Sequence, residues 1–173
     1  MAEVKFTILS RKEAESLTSK NIKSKRPVMI SINDAKEGHA DIKLDIPILY
    51  LQFDDVETTP DWCLKQDLAE RIEMLYDIFD FEMAKKIIDF VNVTEPDEII
   101  VHCHAGICRS AAVAAALKKI MYNDDKDIFV SKVPNMLVYT RILQYYFCRN
   151  DKEYYKTFIG KEYMKTNQDK FSI

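Results

Sequence analysis

The ten residues VHCHAGICRS, Val101–Ser110, hold two of the chain's three histidines, two of its four cysteines and one of its three glycines. Such a concentration serves one of three ends: a metal knot, a site built on a thiolate, or a tight structural turn. His102, Cys103, His104 and Cys108 are all zinc-ligand types. Their spacing argues against zinc, because adjacent residues at a strand end project to alternating sides. Cys63, Cys148 and His39 supply no second ligand pair. The thiolate reading rests on the segment's setting. Glu98-Ile99-Ile100-Val101 reads as a strand, Ala111 to Met121 as a helix, and the residues between must turn. A strand, a short turn and a helix N-terminus aim several backbone N–H groups and the positive end of the helix dipole at one point, which attracts an anion. Gly106 supplies the φ freedom of a tight loop. Arg109, in the first turn of the helix, offers a planar fork to two oxygens of a tetrahedral oxyanion such as phosphate.

Cys103 stands at the head of this loop, where the groups that favour an anion also favour S⁻. A thiol with a pKa near 8.5 falls to roughly 3.5–7.5 in such settings, which makes a nucleophile at neutral pH. The amides of His104, Ala105, Gly106, Ile107 and Cys108, with Arg109, would hold the phosphate oxygens. Ser110 can turn its hydroxyl toward the sulfur and help it leave when a covalent intermediate breaks down. His102 precedes the nucleophile on a buried strand, and its side chain should point away from the loop's centre. It reads as a neutral, hydrogen-bonding support rather than a proton carrier.

The elements that must position these residues alternate between strand and helix. Val4 to Leu9 reads as a short strand, and Ser10-Arg11-Lys12-Glu13 has the spacing of a capping box opening a short helix through about Leu17. Lys20, Lys23, Lys25 and Arg26 form a basic cluster, read as a solvated loop or, more sharply, as a phosphate-attracting rim. Val28 to Ile32 and Ile46 to Phe53 are strand-like runs separated by the polar stretch Asn33 to Asp41. From Asp67 to Val93 the pattern is helical, clearest in Phe81, Ala84, Ile87, Ile88 and Val91, until Pro96-Asp97 breaks it. Pro134 precedes a helix from Asn135 to Phe147 with Met136, Tyr139, Leu143 and Tyr146 or Phe147 on one face. These elements imply one α/β domain over residues 1–150, with a largely parallel central sheet flanked by helices on both faces, and a docked helix or tail over 151–173. Ligands of such sheets sit at the carboxyl ends of the strands, where Cys103 to Arg109 fall.

At 173 residues the chain suits a single domain, and its 47% hydrophobic and 31% charged residues describe an ordinary globule. A net charge of −3 excludes a global basic field that would recruit nucleic acid. No window is apolar for the length of a membrane span, the opening residues do not form a signal peptide, and four scattered cysteines do not make a disulfide framework. A cytoplasmic protein with reduced thiols is expected.

His102-Cys103-x5-Arg109-Ser110 matches the His-Cys-x5-Arg-Ser/Thr signature of the cysteine-based protein tyrosine phosphatases, with Ala105-Gly106 where many members carry Ala-Gly. The length resembles that of the compact dual-specificity branch. The recognisable part runs roughly from Ile46 to Phe147, and Pro134-Asn135 with Val138-Tyr139 is similar to the helix opening of small prokaryotic and viral members. The resemblance implies an acid on a loop some tens of residues before the cysteine. LQFDDVE supplies it: the pattern favours Asp55, with Asp54 as the alternative, and two adjacent carboxylates repel, which helps one keep a proton. The implied reaction has Cys103 attack phosphorus while Asp55 protonates the leaving group. Asp55 then takes a proton from the water that hydrolyses the thiophosphate, and no metal or cofactor is called for.

Cys108 departs from the small residue usual in the dual-specificity branch and resembles the low-molecular-weight tyrosine phosphatases, which place Cys there and can oxidise it against the nucleophile. In that family the loop opens the chain and the acid lies far downstream beside a Pro, whereas this chain has no Asp-Pro. Cys108 is either a small buried filler or a redox partner of Cys103 in a reversible disulfide. Rhodanese-type sulfur transfer is a rival for the loop, but it has no use for Asp54 or Asp55. A catalytically silent module that captures phosphorylated partners is another rival, weakened by the presence of Cys103, Arg109 and a plausible acid together. Within the loop His104 stands where an extra Lys or Arg would point to multiply phosphorylated substrates. The expected substrate is therefore phosphotyrosine in a protein or peptide, with phosphoserine and phosphothreonine next. A phosphoinositide or RNA 5′-phosphatase on the same scaffold is the alternative.

Overall fold

Four strand-forming runs, joined by three crossovers, pair in parallel among the described residues. In the computed structural model, which describes residues 3–57 and 76–149, β1 (Lys5–Ser10), β2 (Pro27–Asn33), β3 (Ile48–Gln52) and β4 (Glu98–Cys103) lie in the order β1-β4-β2-β3. Among the described residues the helices are α1 (Arg11–Glu15), α2 (Phe81–Thr94), α3 (Arg109–Tyr122), α4 (Lys126–Ser131) and α5 (Met136–Cys148), with a 3₁₀ turn at Ser19–Asn21. None of these helices is long and apolar enough to cross a membrane.

Strand alternation sends Val28, Ile30 and Ile32 of β2 and Ile99, Val101 and Cys103 of β4 to one face, where they pack against α2, α3 and α5. The intervening Met29 and Ile100 go to the other face. Among the described residues that face is covered by Ala14 of α1, by Leu17 and Ile22 after it, and by a coil carrying Ile42, Leu44 and Ile46, so the helical cover is unequal on the two sides. Both faces being buried explains why β2 and β4 read as unbroken apolar runs. Helix α3 passes closest to the sheet because Ala111, Ala112, Ala114, Ala115 and Ala116 are fully buried and short.

Local chemistry sets the element boundaries. Ser10 and Glu13 form the expected capping box: the Ser10 hydroxyl accepts from Glu13 N at 3.3 Å, and Glu13 Oε2 accepts from Ser10 N at 2.7 Å. β3 begins two residues later than its apolar run, after Pro47, whose carbonyl accepts from Met29 N at 3.0 Å but which has no N–H to give. The helical pattern from Asp67 is not one continuous helix. Residues 76–80 are coil, and Asp80 caps a helix that starts at Phe81 by accepting from Met83 N at 2.8 Å. Residues 67–75, Cys63 and the 151–173 segment lie outside the described residues.

Helix α5 is rotated from the face its large side chains indicate. Leu137, Val138, Arg141, Ile142 and Tyr145 are buried, whereas Met136 and Phe147 are exposed and Tyr139, Leu143 and Tyr146 lie at the margin. Arg141 makes this possible: its guanidinium donates to the Phe79 carbonyl and lies 5.5 Å from the Phe81 ring centre, so a charged residue holds a core-facing position. The basic cluster before β2 is no rim of the loop. Lys25 N and Arg26 N donate to Asp97 at 3.0 and 2.9 Å, and Pro27 is in register with Glu98, at the opposite end of the strands from Cys103.

The alternation that turns Cys103 toward the helices turns His102 to the other face. There it is fully buried, with Nε2 2.7 Å from Ser31 Oγ on β2. Burial pushes its pKa down from 6.5 to about 4. The unfolded chain therefore takes up this proton first as the pH falls. The stabilisation is complete above pH 6.5 and is lost between 6.5 and about 4, a change of about 3 kcal/mol. Urea midpoints measured across that window should fall steeply in the wild type and less steeply in His102→Gln.

Candidate active site

The chain leaves β4 at Cys103 and enters α3 at Arg109, and the turn between is held from outside by its carbonyls. The His104 carbonyl accepts from Arg11 N at 3.1 Å, that of Gly106 from Lys132 Nζ at 2.9 Å, and that of Cys108 from Asn135 N at 3.2 Å and Ala112 N at 2.9 Å. With these carbonyls engaged elsewhere, the loop's N–H groups are free to face inward, and that of Gly106 meets Cys103 Sγ at 3.3 Å. Gly106 has φ 71°, and a Cβ there would lie 2.6 Å from Leu9 C and Ser10 N. No other residue type can occupy the position without displacing β1.

Cys103 is almost wholly buried, yet it lines a pocket of about 250 Å³ together with Asp34, Asp55, His104, Ala105, Cys108 and Arg109. Burial pushes the thiol pKa up. Contacts from the Ser110 hydroxyl, at 3.2 Å, from the Ser110 and Gly106 backbone and from the Arg109 charge outweigh that effect and hold it below the ordinary value. Cys108 behaves oppositely: burial first, then the nearby Asp55 carboxylate, pushes its thiol up, so it stays protonated.

Arg109 is buried at the first position of α3. One terminal nitrogen, Nη1, is held by Asp34 Oδ1 at 2.5 Å and by the Phe53 carbonyl at 2.8 Å. Its Nε is buried without a hydrogen-bond partner among the described residues and lies 3.9 Å from Asp55 Oδ2.

The two adjacent carboxylates part ways. Asp54 is taken up by backbone: Oδ2 accepts from Asp77 N at 3.0 Å and Oδ1 from Ala35 N at 3.4 Å, and it does not line the pocket. Asp55 lines the pocket, with Oδ1 accepting from Asn135 Nδ2 at 2.8 Å. The potential zinc ligands do not converge, since His102 is on the far face of β4. Among the described residues the metal-ligand types that come together are Asp34, Glu37 and His104, but Asp34 is paired with Arg109 and Glu37 with Arg11 at 3.2 Å.

Asp34 and Asn135 are the pocket's neighbours that motif reading passes over. Asp34 follows β2 directly, at the same carboxyl edge of the sheet as Cys103, so the edge rule applied to every strand rather than to the motif strand alone would have marked it.

No family model matches the chain, and no curated protein sequence matches it. Solved structures do. The chain is similar to the human tyrosine phosphatase-like serine/threonine/tyrosine-interacting protein, at 19% identity and a TM-score of 0.53, covering 83% of this chain and 92% of that one. It is similar also to DUSP15, at 16% identity and a TM-score of 0.50, covering 91% of this chain and 95% of that one. These likenesses assign the fold, that of the tyrosine phosphatase-like proteins.

The balance of forces on the Cys103 sulfur is directly measurable. Its alkylation by iodoacetamide, followed against pH by mass spectrometry, should show a midpoint below that of a free thiol. Ser110→Ala removes a donor to S⁻ and should move that midpoint upward.

Proposed function

We propose that this chain, whose fold is tyrosine phosphatase-like, is a cysteine-dependent phosphomonoesterase that acts on phosphotyrosine in proteins or peptides. One observation carries the reading: a thiol held below its ordinary pKa and a buried guanidinium line the same pocket. A tetrahedral phosphate would satisfy the guanidinium while presenting phosphorus to the sulfur.

Cys103 attacks phosphorus in line, the loop amides and Arg109 hold the equatorial oxygens, and Asp55 gives its proton to the departing phenoxide. Asp55 then takes a proton from the water that attacks the thiophosphate, and Ser110 donates to the sulfur as it leaves. Asp55 is preferred to Asp54 because it lines the pocket while Asp54 is bonded to backbone on both oxygens. His104, rather than an additional Lys or Arg, lines the pocket beside Cys103, which favours a single phosphate on a protein over polyanions such as inositol lipids or RNA 5′ ends.

Cys103→Ser should lower turnover of para-nitrophenyl phosphate by at least about 10³-fold while phosphotyrosyl peptides still bind. Arg109→Lys should cost about 10²–10³-fold. Activity retained in Cys103→Ser would remove the assigned nucleophile. A wild-type protein that binds phosphotyrosyl peptides but hydrolyses neither peptides nor aryl phosphate would be a capture module instead. Turnover across phosphotyrosyl peptides, phosphoseryl peptides, phosphoinositides and 5′-triphosphate RNA decides the substrate class.

A further inference from the structure

Asn135 has 0% exposed surface, and each of its polar groups is engaged. Its backbone N–H donates to the Cys108 carbonyl of the phosphate loop at 3.2 Å, and its carbonyl accepts from Tyr139 N at 3.1 Å. Its side-chain Oδ1 accepts from Val138 N at 3.1 Å, capping α5, and its Nδ2 donates to Asp55 Oδ1 at 2.8 Å and to the Val56 carbonyl at 3.3 Å. The amide cannot flip, because the reverse orientation would set its NH₂ against the Val138 N–H and its oxygen against two acceptors. One residue thus ties together the loop that carries the nucleophile, the segment that carries the acid, and the start of a core helix.

We propose that Asn135 is a positioning residue for proton transfer by Asp55, fixing which carboxyl oxygen carries the proton and where that oxygen points; the inference rests on the reading of Asp55 as the acid. Asp55 is on the coil after β3, with 40% of its side-chain surface exposed, and besides Asn135 its carboxyl is approached by the Cys108 thiol and by Arg109 Nε at 3.9 Å. Nδ2–H occupies Oδ1. A proton placed on Oδ1 would face that donor, so the proton resides on Oδ2, the oxygen nearer Arg109 Nε and hence nearer a bound phosphate. The Val56 contact holds the following peptide as well, which limits rotation of the segment as a whole. The contribution of Asn135 is therefore orientation. It should matter in proportion to how badly the leaving group needs a proton, since a misaimed acid loses the benefit of proximity while the nucleophile and anion site are untouched.

Two substrates separate this role from a structural one. Phenyl phosphate leaves poorly without protonation, whereas para-nitrophenyl phosphate leaves well. Asn135→Ser keeps a cap for Val138 N but has no side chain long enough to reach Asp55. It should lower kcat/KM for phenyl phosphate by about tenfold, with a change under about threefold for para-nitrophenyl phosphate. Inhibition by inorganic phosphate should stay within about twofold, since the anion site is intact. Adding Asn135→Ser to Asp55→Asn should cost nothing further on phenyl phosphate, because the aimed group is already gone. If the Ser variant fails to fold, Asn135→Thr, which can likewise cap Val138 N and cannot reach Asp55, carries the same test. An equal loss on both substrates, or none, alongside a selective loss in Asp55→Asn, overturns the role of Asn135 alone. A non-selective effect of Asp55→Asn overturns the acid assignment and this inference with it.

Discussion

A sulfur at the end of a buried parallel strand resists ionisation, and the arrangement of this molecule follows from overcoming that resistance. Desolvation alone would leave Cys103 a protonated, inert thiol. The counterweight is a set of donors brought within reach by a turn that reverses between strand and helix: the Gly106 amide, the Ser110 hydroxyl and the charge of Arg109. Each of these demands something of the fold. The amide needs positive φ, the hydroxyl needs a helix that starts at residue 109, and the guanidinium needs partners that hold it without exhausting its donors.

Asp34 and the Phe53 carbonyl meet the last demand by gripping one nitrogen of Arg109 and leaving Nε unclaimed. Both lie just beyond or at the ends of neighbouring parallel strands, so the sheet itself brings them to the nucleophile. The neighbouring carboxylates divide by the same logic. Asp54 is absorbed in holding coil to coil, while Asp55, one residue on, turns the other way and meets the pocket. A tight turn makes that division, the Asp54 carbonyl accepting from Val56 N at 2.9 Å, whereas strand alternation makes it for His102 and Cys103.

Much of this was legible in the residues alone, because the strand, turn and helix around Cys103 are contiguous and each announces itself: an apolar run, a glycine, an alanine-rich stretch. The parallel α/β arrangement was legible for the same reason. What was not legible depends on partners distant in sequence. The rotation of α5 turns on Arg141 finding the Phe79 carbonyl and the Phe81 ring, which no hydrophobic pattern encodes. The start of α2 at Phe81 depends on an aspartate cap inside a pattern that looks continuous. Asp34 sits in a stretch whose composition says only turn, and Asn135 looks like an ordinary helix cap until its second nitrogen contact is seen.

Among the described residues β1 contributes no side chain to the pocket, and it borders the sheet with β4 as its strand partner. Yet the backbone of Leu9 and Ser10 lies so near Gly106 that it acts as the mould against which the loop is cast. The opening segment of the chain is thus part of the reactive centre's architecture without being part of its chemistry. Trimming it away would spare every reactive group and still let the ring of amides lose its shape.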